Sequence, residues 1–433
     1  MQVSVETTTG LERRMTVAIP REKINHEIQS RLKSLAGTAK MPGFRPGKVP
    51  FNVIQKRYGG QVHKEVLGEM VQNSFYEAVS QEKLHLAGMP HIETSEEVED
   101  ESKDLAFTAT FEVYPEIELG SMDQVKIEKP VVEITDADID KMVDTIRKQR
   151  MAWQAVERPS QSGDRVTIDF EGKIEGEIFE GGSGKAMPVE LGAGRMIAGF
   201  EEQLEGVSLN DEKTLSLEFP VEYHNKEVAG KPVTFDVKVT AVEEPVLPAL
   251  DEEFIKSMGV SDGSLETFRN QVKANMLREA EQNVSSKVKQ QVMDQLLVTT
   301  PFDVPKVLVD SEIHSLMQQQ QKQLGEQAAQ ELNPSIFEEQ ARRRVALGLI
   351  LTEIVKQNEI KVAPAKVRNI VEGIAAGYEH PEEVVKYYFG DKQRLAEIEN
   401  YALEGEVVEW VISKASETEI PTSFDELVQP GHV

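Results

Sequence analysis

The chain has 433 residues, no cysteine, and 75 Asp and Glu against 48 Lys and Arg. Without cysteine it has no disulfide, no thiolate nucleophile and no cysteine-ligated metal. No apolar run approaches the ~18 residues that span a bilayer, and residues 1–10 lack the basic and apolar regions of a signal peptide. We therefore expect a cytoplasmic protein that does not act in a membrane.

The charge is distributed unevenly along the chain. Residues 1–64 hold twelve Lys and Arg against four Asp and Glu, a net charge of +8, whereas the remaining residues carry −35. A basic segment on an acidic body indicates that this end of the molecule meets a polyanion. The alternative is a solvated basic face without any partner, and charge alone does not separate the two.

Residues 1–115 alternate between strand and helix patterns. Apolar residues recur at period two over 15–19 and 105–113, which predicts two half-buried strands. Helices are predicted at 21–37 and 61–82, with Gly59-Gly60 as a break before the second. This part of the chain is predicted to be an α+β unit.

Residues 116–150 are predicted to be a connector. A short strand pattern at 125–127 runs into Pro130, and a helix follows from Thr135 to Arg150. Thr135 is the expected N-cap, because its hydroxyl can accept a hydrogen bond from a free backbone N–H of the first turn. Asp136, Asp138 and Asp140, near the start of this helix, favour the positive end of its dipole.

Residues 151–245 have a different composition. Glycine becomes frequent, period-two strands return at 166–170, 215–219 and 233–239, and a short helical pattern covers 197–204. This predicts a small, mostly antiparallel sheet wrapped on one short helix. Residues 246–433 are then predicted helical almost throughout, with Asn333-Pro334 as the start of one helix.

The sequence lacks the motifs that several kinds of reaction require. The Gly-rich stretch 181–186 fails as a phosphate loop, because Phe179 stands where the first Gly belongs and Ala186 replaces the Ser or Thr that holds magnesium. The eight histidines form no i, i+4 metal pair. We therefore expect no metal, no cofactor, and no hydrolytic, phosphoryl-transfer or redox reaction.

The basic segment 1–64, the basic head, contains a stiff loop from Pro42 to Pro50. Prolines and glycines exclude helix and strand in this loop. The loop presents an aromatic residue and two cations, a set that suits docking on a protein–RNA surface. A plain interhelical turn with Phe44 packed into its own domain is the alternative. The loop candidates are Gly43, Phe44, Arg45, Pro46, Gly47 and Lys48.

The run Gly-Phe-Arg-x-Gly-x-x-Pro from Gly43 to Pro50 resembles the ribosome-binding signature of bacterial trigger factors. The resemblance implies that the loop contacts a tunnel-exit protein of the large ribosomal subunit and nearby rRNA, and that the chain binds unfolded nascent polypeptides. It leaves open a homodimer off the ribosome. The sequence departs from the pattern at Pro46, where many members of the family carry Lys.

Four segments in the middle of the chain, at 164–172, 178–180, 191–201 and 233–237, resemble the FKBP-type peptidyl-prolyl isomerases in order and spacing. The resemblance implies a pocket for proline, with Phe200 where many members have Trp and Met187 where an aromatic is common. Phe179 and Phe235 would hold the proline ring, and Tyr223 would orient the substrate carbonyl. The implied site residues are Phe170, Phe179, Glu180, Met196, Ile197, Phe200, Tyr223 and Phe235.

Pattern and resemblance together predict a multidomain α+β protein. Its parts would be an α+β ribosome-binding head at 1–115, the connector at 116–150, an FKBP-like sheet domain at 151–245, and an all-α chaperone domain with helical arms at 246–433. The expected function is a ribosome-associated chaperone that isomerises X-Pro bonds. A free proline isomerase and an RNA-binding module are the alternatives, although the basic head lacks the exposed aromatics interleaved with cations that stack on bases.

Overall fold

The computed structural model describes residues 2–39, 41–42, 44, 49–94, 104–223, 225–226, 228–324, 333–378 and 380–428. The contacts divide the chain into two compact units. One consists of Met1–Lys129 and Ser286–Glu419, and the other of Pro130–Ser285 and Ile420–Val433. Each unit thus joins segments that are distant in sequence.

The secondary structure mixes strands and helices, as predicted. The strands are β1 (Gln2–Thr7), β2 (Glu12–Ile19), β3 (His91–Thr94), β4 (Leu105–Glu112), β5 (Lys126–Val131), β6 (Ala152–Ala155), β7 (Arg165–Ile174), β8 (Glu177–Glu190), β9 (Glu212–Glu218), β10 (Pro232–Val246) and β11 (Ser416–Pro421). The helices are α1 (Arg21–Thr38), α2 (Phe51–Gln81), α3 (Asp136–Gln149), α4 (Phe200–Gln203), α5 (Glu252–Ser257), α6 (Leu265–Thr299), α7 (Lys306–Leu324), α8 (Glu338–Asn358), α9 (Pro364–Ala375), α10 (Pro381–Phe389), α11 (Lys392–Ile412) and α12 (Phe424–Val428).

An antiparallel sheet in the first unit has the order β1-β2-β4-β3. The period-two residues of β2 and β4 point alternately to its two faces, so Met15, Val17 and Phe107 are buried together with Phe75 of α2. The predicted strands at 15–19 and 105–113 are therefore confirmed. β1 and β3 were not predicted, because β1 offers only Val3 and Val5 in alternation and β3 only one apolar residue, Ile92.

The prediction that Gly59-Gly60 interrupts a helix is wrong, because α2 runs unbroken through both residues. Glycine inside a helix costs about 1 kcal/mol relative to alanine. Helix α2 offsets this cost by burying one face along its length, including Ile54, Val62 and Val66. Packing thus outweighs the local preference of the glycines.

The two ends of the stiff loop are anchored between α1 and α2. Val49 is buried with Leu32 and Ile54, and Met41 packs against the same cluster. Pro50 precedes the first residue of α2, a position where its fixed φ suits the start of a helix. The described ends of the loop are therefore held by apolar packing.

The second unit contains a sheet in which β10 is central. β10 pairs with β7 on one side and with β9 on the other, β6 pairs with its last residues, and β8 pairs with β7. All these pairings are antiparallel. The helix α4 is buried against the sheet through Phe200, and Leu204, directly after the helix, is buried in the same cluster. This arrangement confirms the predicted sheet on a short helix, although β6 and β8 were not foreseen.

Two predicted helix starts are confirmed by their caps. Thr135 accepts a hydrogen bond from the N–H of Asp138, whose carboxylate accepts one from the N–H of Thr135. Asn333 accepts one from the N–H of Ser335. Among the described residues after 250, the regular structure is helical except for β11, which pairs with β5. Within the described residues, none of the helices combines the length and apolar character that a membrane span needs.

Candidate active site

A cavity of about 400 Å³ opens between the sheet of the second unit and the segment that precedes α4. Its wall is mostly aromatic and aliphatic, with one cation, Arg195, at its edge. The lining residues are Phe170, Phe179, Gly181, Met187, Arg195, Met196, Ile197, Ala198, Phe200, Phe219, Pro220, Tyr223 and Phe235. An apolar cavity of this size holds one or two side chains and excludes water from them.

Phe235 stands at the centre of the aromatic cluster. Its ring centroid lies 5.4 Å from that of Phe200, 5.9 Å from that of Phe170 and 6.3 Å from that of Phe179. All three pairs meet edge to face, an arrangement that the ring quadrupoles favour. The ring positions are therefore mutually fixed before any ligand binds.

Two of these rings rest directly on the backbone of β7. A Cβ atom at Gly172 would lie 2.6 Å from Cε1 of Phe235 and 2.8 Å from Cε1 of Phe179. These distances are below any ordinary carbon–carbon contact, so the rings occupy the space that a side chain would take. Gly172 thus allows the two rings to sit as deep as they do.

The substitution Gly172→Ala is expected to lower the isomerase kcat/KM on a tetrapeptide by at least about tenfold, because both rings must shift outward. Glu171→Ala is the matched control, since Glu171 is the exposed neighbour on the same strand. Equal activity of the two variants would contradict this role for Gly172.

A buried carboxylate organises the segment from 192 to 196. Glu201 of α4 is 8% exposed and accepts hydrogen bonds from the N–H groups of Gly194, Arg195 and Met196 at 2.9, 2.8 and 3.0 Å. Burial acts to raise the pKa of Glu201, but these donors and the N–H of Gly192 outweigh it and lower the pKa below its ordinary value. Glu201 therefore fixes the backbone that presents Met196 and Ile197.

Seven of the eight residues predicted for the proline pocket line this one cavity. They are Phe170, Phe179, Met196, Ile197, Phe200, Tyr223 and Phe235. The eighth, Glu180, lies in β8, but its side chain is outside the described residues. Phe200 is almost fully buried, which makes it the floor of the cavity.

The sequence analysis missed two contributors. Phe219 lies 4.8 Å from Tyr223 and 5.9 Å from Phe179, measured between ring centroids, and belongs to the wall. It ends the predicted strand at 215–219 directly before Pro220, and that aromatic–proline junction was the available signal. Glu201 ends the segment 191–201 that resembles the isomerases, but nothing in a linear sequence shows that its carboxylate is buried under three backbone N–H groups.

Of the predicted ribosome-binding residues, only Phe44 is among those described. Its N–H donates to the carbonyl oxygen of Met41 at 3.1 Å, and its side chain is 39% exposed. Gly43, Arg45, Pro46, Gly47 and Lys48 lie outside the described residues. The side chain of Phe44 is thus partly exposed, and its part in docking stays a prediction.

A larger cavity, of about 690 Å³, also lies along the sheet of the second unit, but its lining is charged. Lys173 pairs with Asp236 at 2.7 Å and Lys238 with Glu212 at 3.0 Å across neighbouring strands. Such a surface does not suit an apolar proline ring. Within the part of the chain that the structure describes, no cluster of three or more His, Asp or Glu has the arrangement of a metal site.

Comparison with known proteins gives three family matches along the chain. Residues 1–146 match the model of the bacterial trigger factor protein, residues 264–413 match the trigger factor C-terminus, and residues 156–240 match the FKBP-type peptidyl-prolyl cis-trans isomerase.

Relatives match over nearly the full length. The trigger factor of Alkalilimnicola ehrlichii is 48% identical over 99% of this chain and 96% of its own length. That of Pseudomonas paraeruginosa is 46% identical over 100% and 99%. A solved trigger factor chaperone structure covers 95% of this chain and 99% of its own, with 18% identity and a TM-score of 0.48.

Proposed function

The chain belongs to the trigger factor family, and from this premise we propose how its parts carry out chaperoning and prolyl isomerisation. It is a molecular chaperone with peptidyl-prolyl cis-trans isomerase activity, and its family binds ribosomes and nascent chains. The observation that carries the proposal is the aromatic cavity around Phe235.

The proposed reaction is rotation about an X-Pro bond within this cavity. Amide resonance sets a barrier of ~20 kcal/mol to that rotation. The aromatic wall removes water from the amide, so the charge-separated planar form loses more stabilisation than the twisted form. No nucleophile and no cofactor take part, because no bond is formed or broken.

Six of the lining residues have a proposed role in this step. Phe179 and Phe235 hold the proline ring over the floor formed by Phe200, and the hydroxyl of Tyr223 orients the substrate carbonyl. Met196 and Ile197 close the wall on the side that Glu201 fixes. The edge-to-face ring contacts support this assignment, because a preformed cavity spends little binding energy on ordering itself.

The proposed docking element is the loop from Gly43 to Lys48, which would contact a tunnel-exit protein of the large ribosomal subunit and nearby rRNA. Two observations support it: the exposed ring of Phe44 and the apolar anchoring of Met41 and Val49. The +8 charge of residues 1–64 would attract rRNA phosphates, while the acidic remainder would be repelled.

The proposed domains are the docking head at 1–115, the connector at 116–150, the isomerase domain at 151–245 and the helical chaperone domain at 246–433. In this proposal the protein is cytoplasmic and partly ribosome-bound, and it holds unfolded nascent polypeptides near the isomerase site. The homodimer off the ribosome belongs to the same proposal and is tested by sedimentation of the free protein at increasing concentration.

The ribosome proposal is tested by sedimentation with vacant 70S ribosomes. The wild type is expected in the pellet, and the double variant Phe44→Ala/Arg45→Ala is expected to stay in the supernatant, because it loses the anchor ring and the phosphate-binding guanidinium. Arg14→Ala/Tyr76→Ala is the matched control, since it removes an exposed arginine and an exposed aromatic from the same unit.

Two outcomes would contradict the proposal. Equal pelleting of the wild type and the loop variant would show that the loop is not the docking element. Binding of naked RNA as tight as binding of ribosomes would favour the alternative, an RNA-binding module that uses the basic head.

A further inference from the structure

A second groove, of about 770 Å³, adjoins the prolyl cavity in the same compact unit. Its walls come from the end of α3, from β6, from the chain after β10 and from residues 190–195. The apolar part of the lining consists of Met151, Trp153, Leu191, Ala193, Pro245 and Leu247. Most of the groove is therefore a surface for aliphatic and aromatic side chains.

Trp153, the aromatic residue of the groove, is held in place by neighbouring side chains and by the sheet. The guanidinium of Arg165 lies 4.6 Å from the ring centroid of Trp153, a cation–π contact. Arg165 is in turn paired with Glu243 at 2.7 Å. Trp153 also lies opposite Pro245 in the β6–β10 pairing, so its backbone position is set by the sheet.

A further contact fixes the opposite wall. The Nε–H of Arg147, in the last turn of α3, donates to the carbonyl oxygen of Pro248 at 3.0 Å. This hydrogen bond ties the helix end to the chain that carries Leu247. The side chain of Leu247 nevertheless stays 42% exposed, so the groove is open to a ligand.

The groove and the prolyl cavity share a wall. Arg195 lines both, and the segment that Glu201 fixes supplies Gly192 and Ala193 to the groove and Met196 and Ile197 to the cavity. Each residue of an extended chain advances ~3.5 Å. A polypeptide with its proline in the cavity therefore needs only a few further residues to reach the groove.

The charges at the edge of the groove are mixed. Arg195 is paired with Glu190 at 3.4 Å, and Lys148 lies on the helix side. An apolar floor with both signs of charge at its edge gives little selection for a particular sequence and accepts many apolar segments. Such a surface suits an unfolded polypeptide better than a small charged ligand.

We propose that this groove binds the apolar segment that flanks the proline on the same unfolded polypeptide. The proposal rests on the proposed location of the prolyl site in the aromatic cavity. It makes the groove a second subsite for the polypeptide chain, built from the connector and the isomerase sheet, which short substrates do not reach.

The test compares two substrates with the full-length protein. A proline-containing tetrapeptide anilide fills the cavity alone, and a reduced, carboxymethylated small ribonuclease, whose folding is limited by one prolyl bond, can span both sites. Leu247→Ser is expected to lower kcat/KM on the ribonuclease by about threefold to tenfold, mainly through KM, and to leave the tetrapeptide unchanged. Leu250→Ser is the matched control, because Leu250 is equally accessible but does not line the groove.

The fluorescence of Trp153 provides a second measurement, in a Trp410→Phe background that leaves it as the remaining tryptophan. The carboxymethylated ribonuclease is expected to shift its emission to shorter wavelength as the groove loses water, whereas the tetrapeptide leaves the emission unchanged. The Leu247→Ser variant is expected to require about threefold to tenfold more ribonuclease for the same shift.

Three outcomes would overturn the proposal. Unchanged ribonuclease kinetics in Leu247→Ser would remove the groove from client binding. An equal loss on both substrates would mean that the variant disturbs the prolyl cavity itself. A change in self-association alone would assign the groove to a second copy of the chain. Failure of the prolyl site is distinct, because the wild type would then lack tetrapeptide activity.

Discussion

Replacing Glu201 with glutamine is expected to speed amide hydrogen exchange at Gly194, Arg195 and Met196 by about 30- to 150-fold. The reason is that both carboxylate oxygens of Glu201 accept backbone N–H groups, Oε2 from Gly194 and Oε1 from Arg195 and Met196. A glutamine amide must place its NH2 group against at least one of these donors. A buried donor without an acceptor costs about 2–3 kcal/mol. At about 1.4 kcal/mol for each factor of ten, this free energy corresponds to the expected change in exchange rate.

The same variant is expected to lose at least about tenfold in kcat/KM on a tetrapeptide, because the segment that presents Met196 and Ile197 is no longer fixed. Glu202→Gln is the control, since Glu202 is the exposed neighbour on the same helix. Unchanged exchange at the three amides would show that the segment holds its shape without the carboxylate.

The variant also has a pH signature with a defined sign. Burial opposes the charged form of Glu201, but the N–H donors prevail, and the folded-state pKa lies below the ordinary value of 4.5. The carboxylate therefore stabilises the fold fully above about pH 4.5 and loses that effect as the pH falls through the folded-state pKa. Protection of the three amides is expected to fall on acidification in the wild type and to stay level in Glu201→Gln.

Replacing Phe235 with leucine is expected to lower kcat/KM on a tetrapeptide by about 30- to 100-fold, while the free energy of unfolding falls by only about 1–2 kcal/mol. Leucine keeps much of the apolar volume, so the core remains filled. It loses the flat ring that meets Phe170, Phe179 and Phe200 edge to face. The cavity then binds the planar and twisted states of the X-Pro bond with more equal affinity, which reduces catalysis.

Val233→Ala is the control that separates an effect of Phe235→Leu on catalysis from one on stability. Val233 lies on the same strand and is 2% exposed, but it does not line the cavity. Its truncation is expected to cost about 1–2 kcal/mol and to leave kcat/KM unchanged at a temperature where the protein stays folded. If both variants lost activity equally, the effect of Phe235→Leu would be one of stability, and its place in the prolyl site would be contradicted.

The sequence predicted those elements whose signal is local. Alternation at 15–19 and 105–113 gave the strands of the first sheet, and the Thr135 and Asn333 caps gave two helix starts. Each of these signals is a physical property of a few neighbouring residues. It therefore survives without knowledge of the rest of the fold.

The missed elements depend on partners far along the chain. β8 carries several glycines and no alternation, and it forms because β7 offers it backbone hydrogen bonds. β11 interrupts a helical region because β5, almost 300 residues earlier, pairs with it. Helix α2 passes through Gly59-Gly60 because the packing of its long buried face outweighs the free-energy cost of two glycines in a helix.

The candidate site shows the same division. Its aromatic members were found from motifs that resemble the FKBP-type isomerases, whereas Phe219 and Glu201 emerged only from the three-dimensional contacts. The groove behind Arg195 could not be foreseen, because it joins α3, β6 and the end of β10.

The contact of the rings with Gly172 has a consequence for attempts to redesign substrate preference. With the backbone of β7 directly beneath Phe179 and Phe235, there is no spare depth below the proline site for a library to exploit. Variation is better directed to exposed residues that adjoin the lining in sequence: Ile178 precedes Phe179 and is 54% exposed, and Val221 follows Pro220 and is 83% exposed. Selection for new X-Pro sequences should therefore enrich changes at those two positions and leave Gly172 untouched.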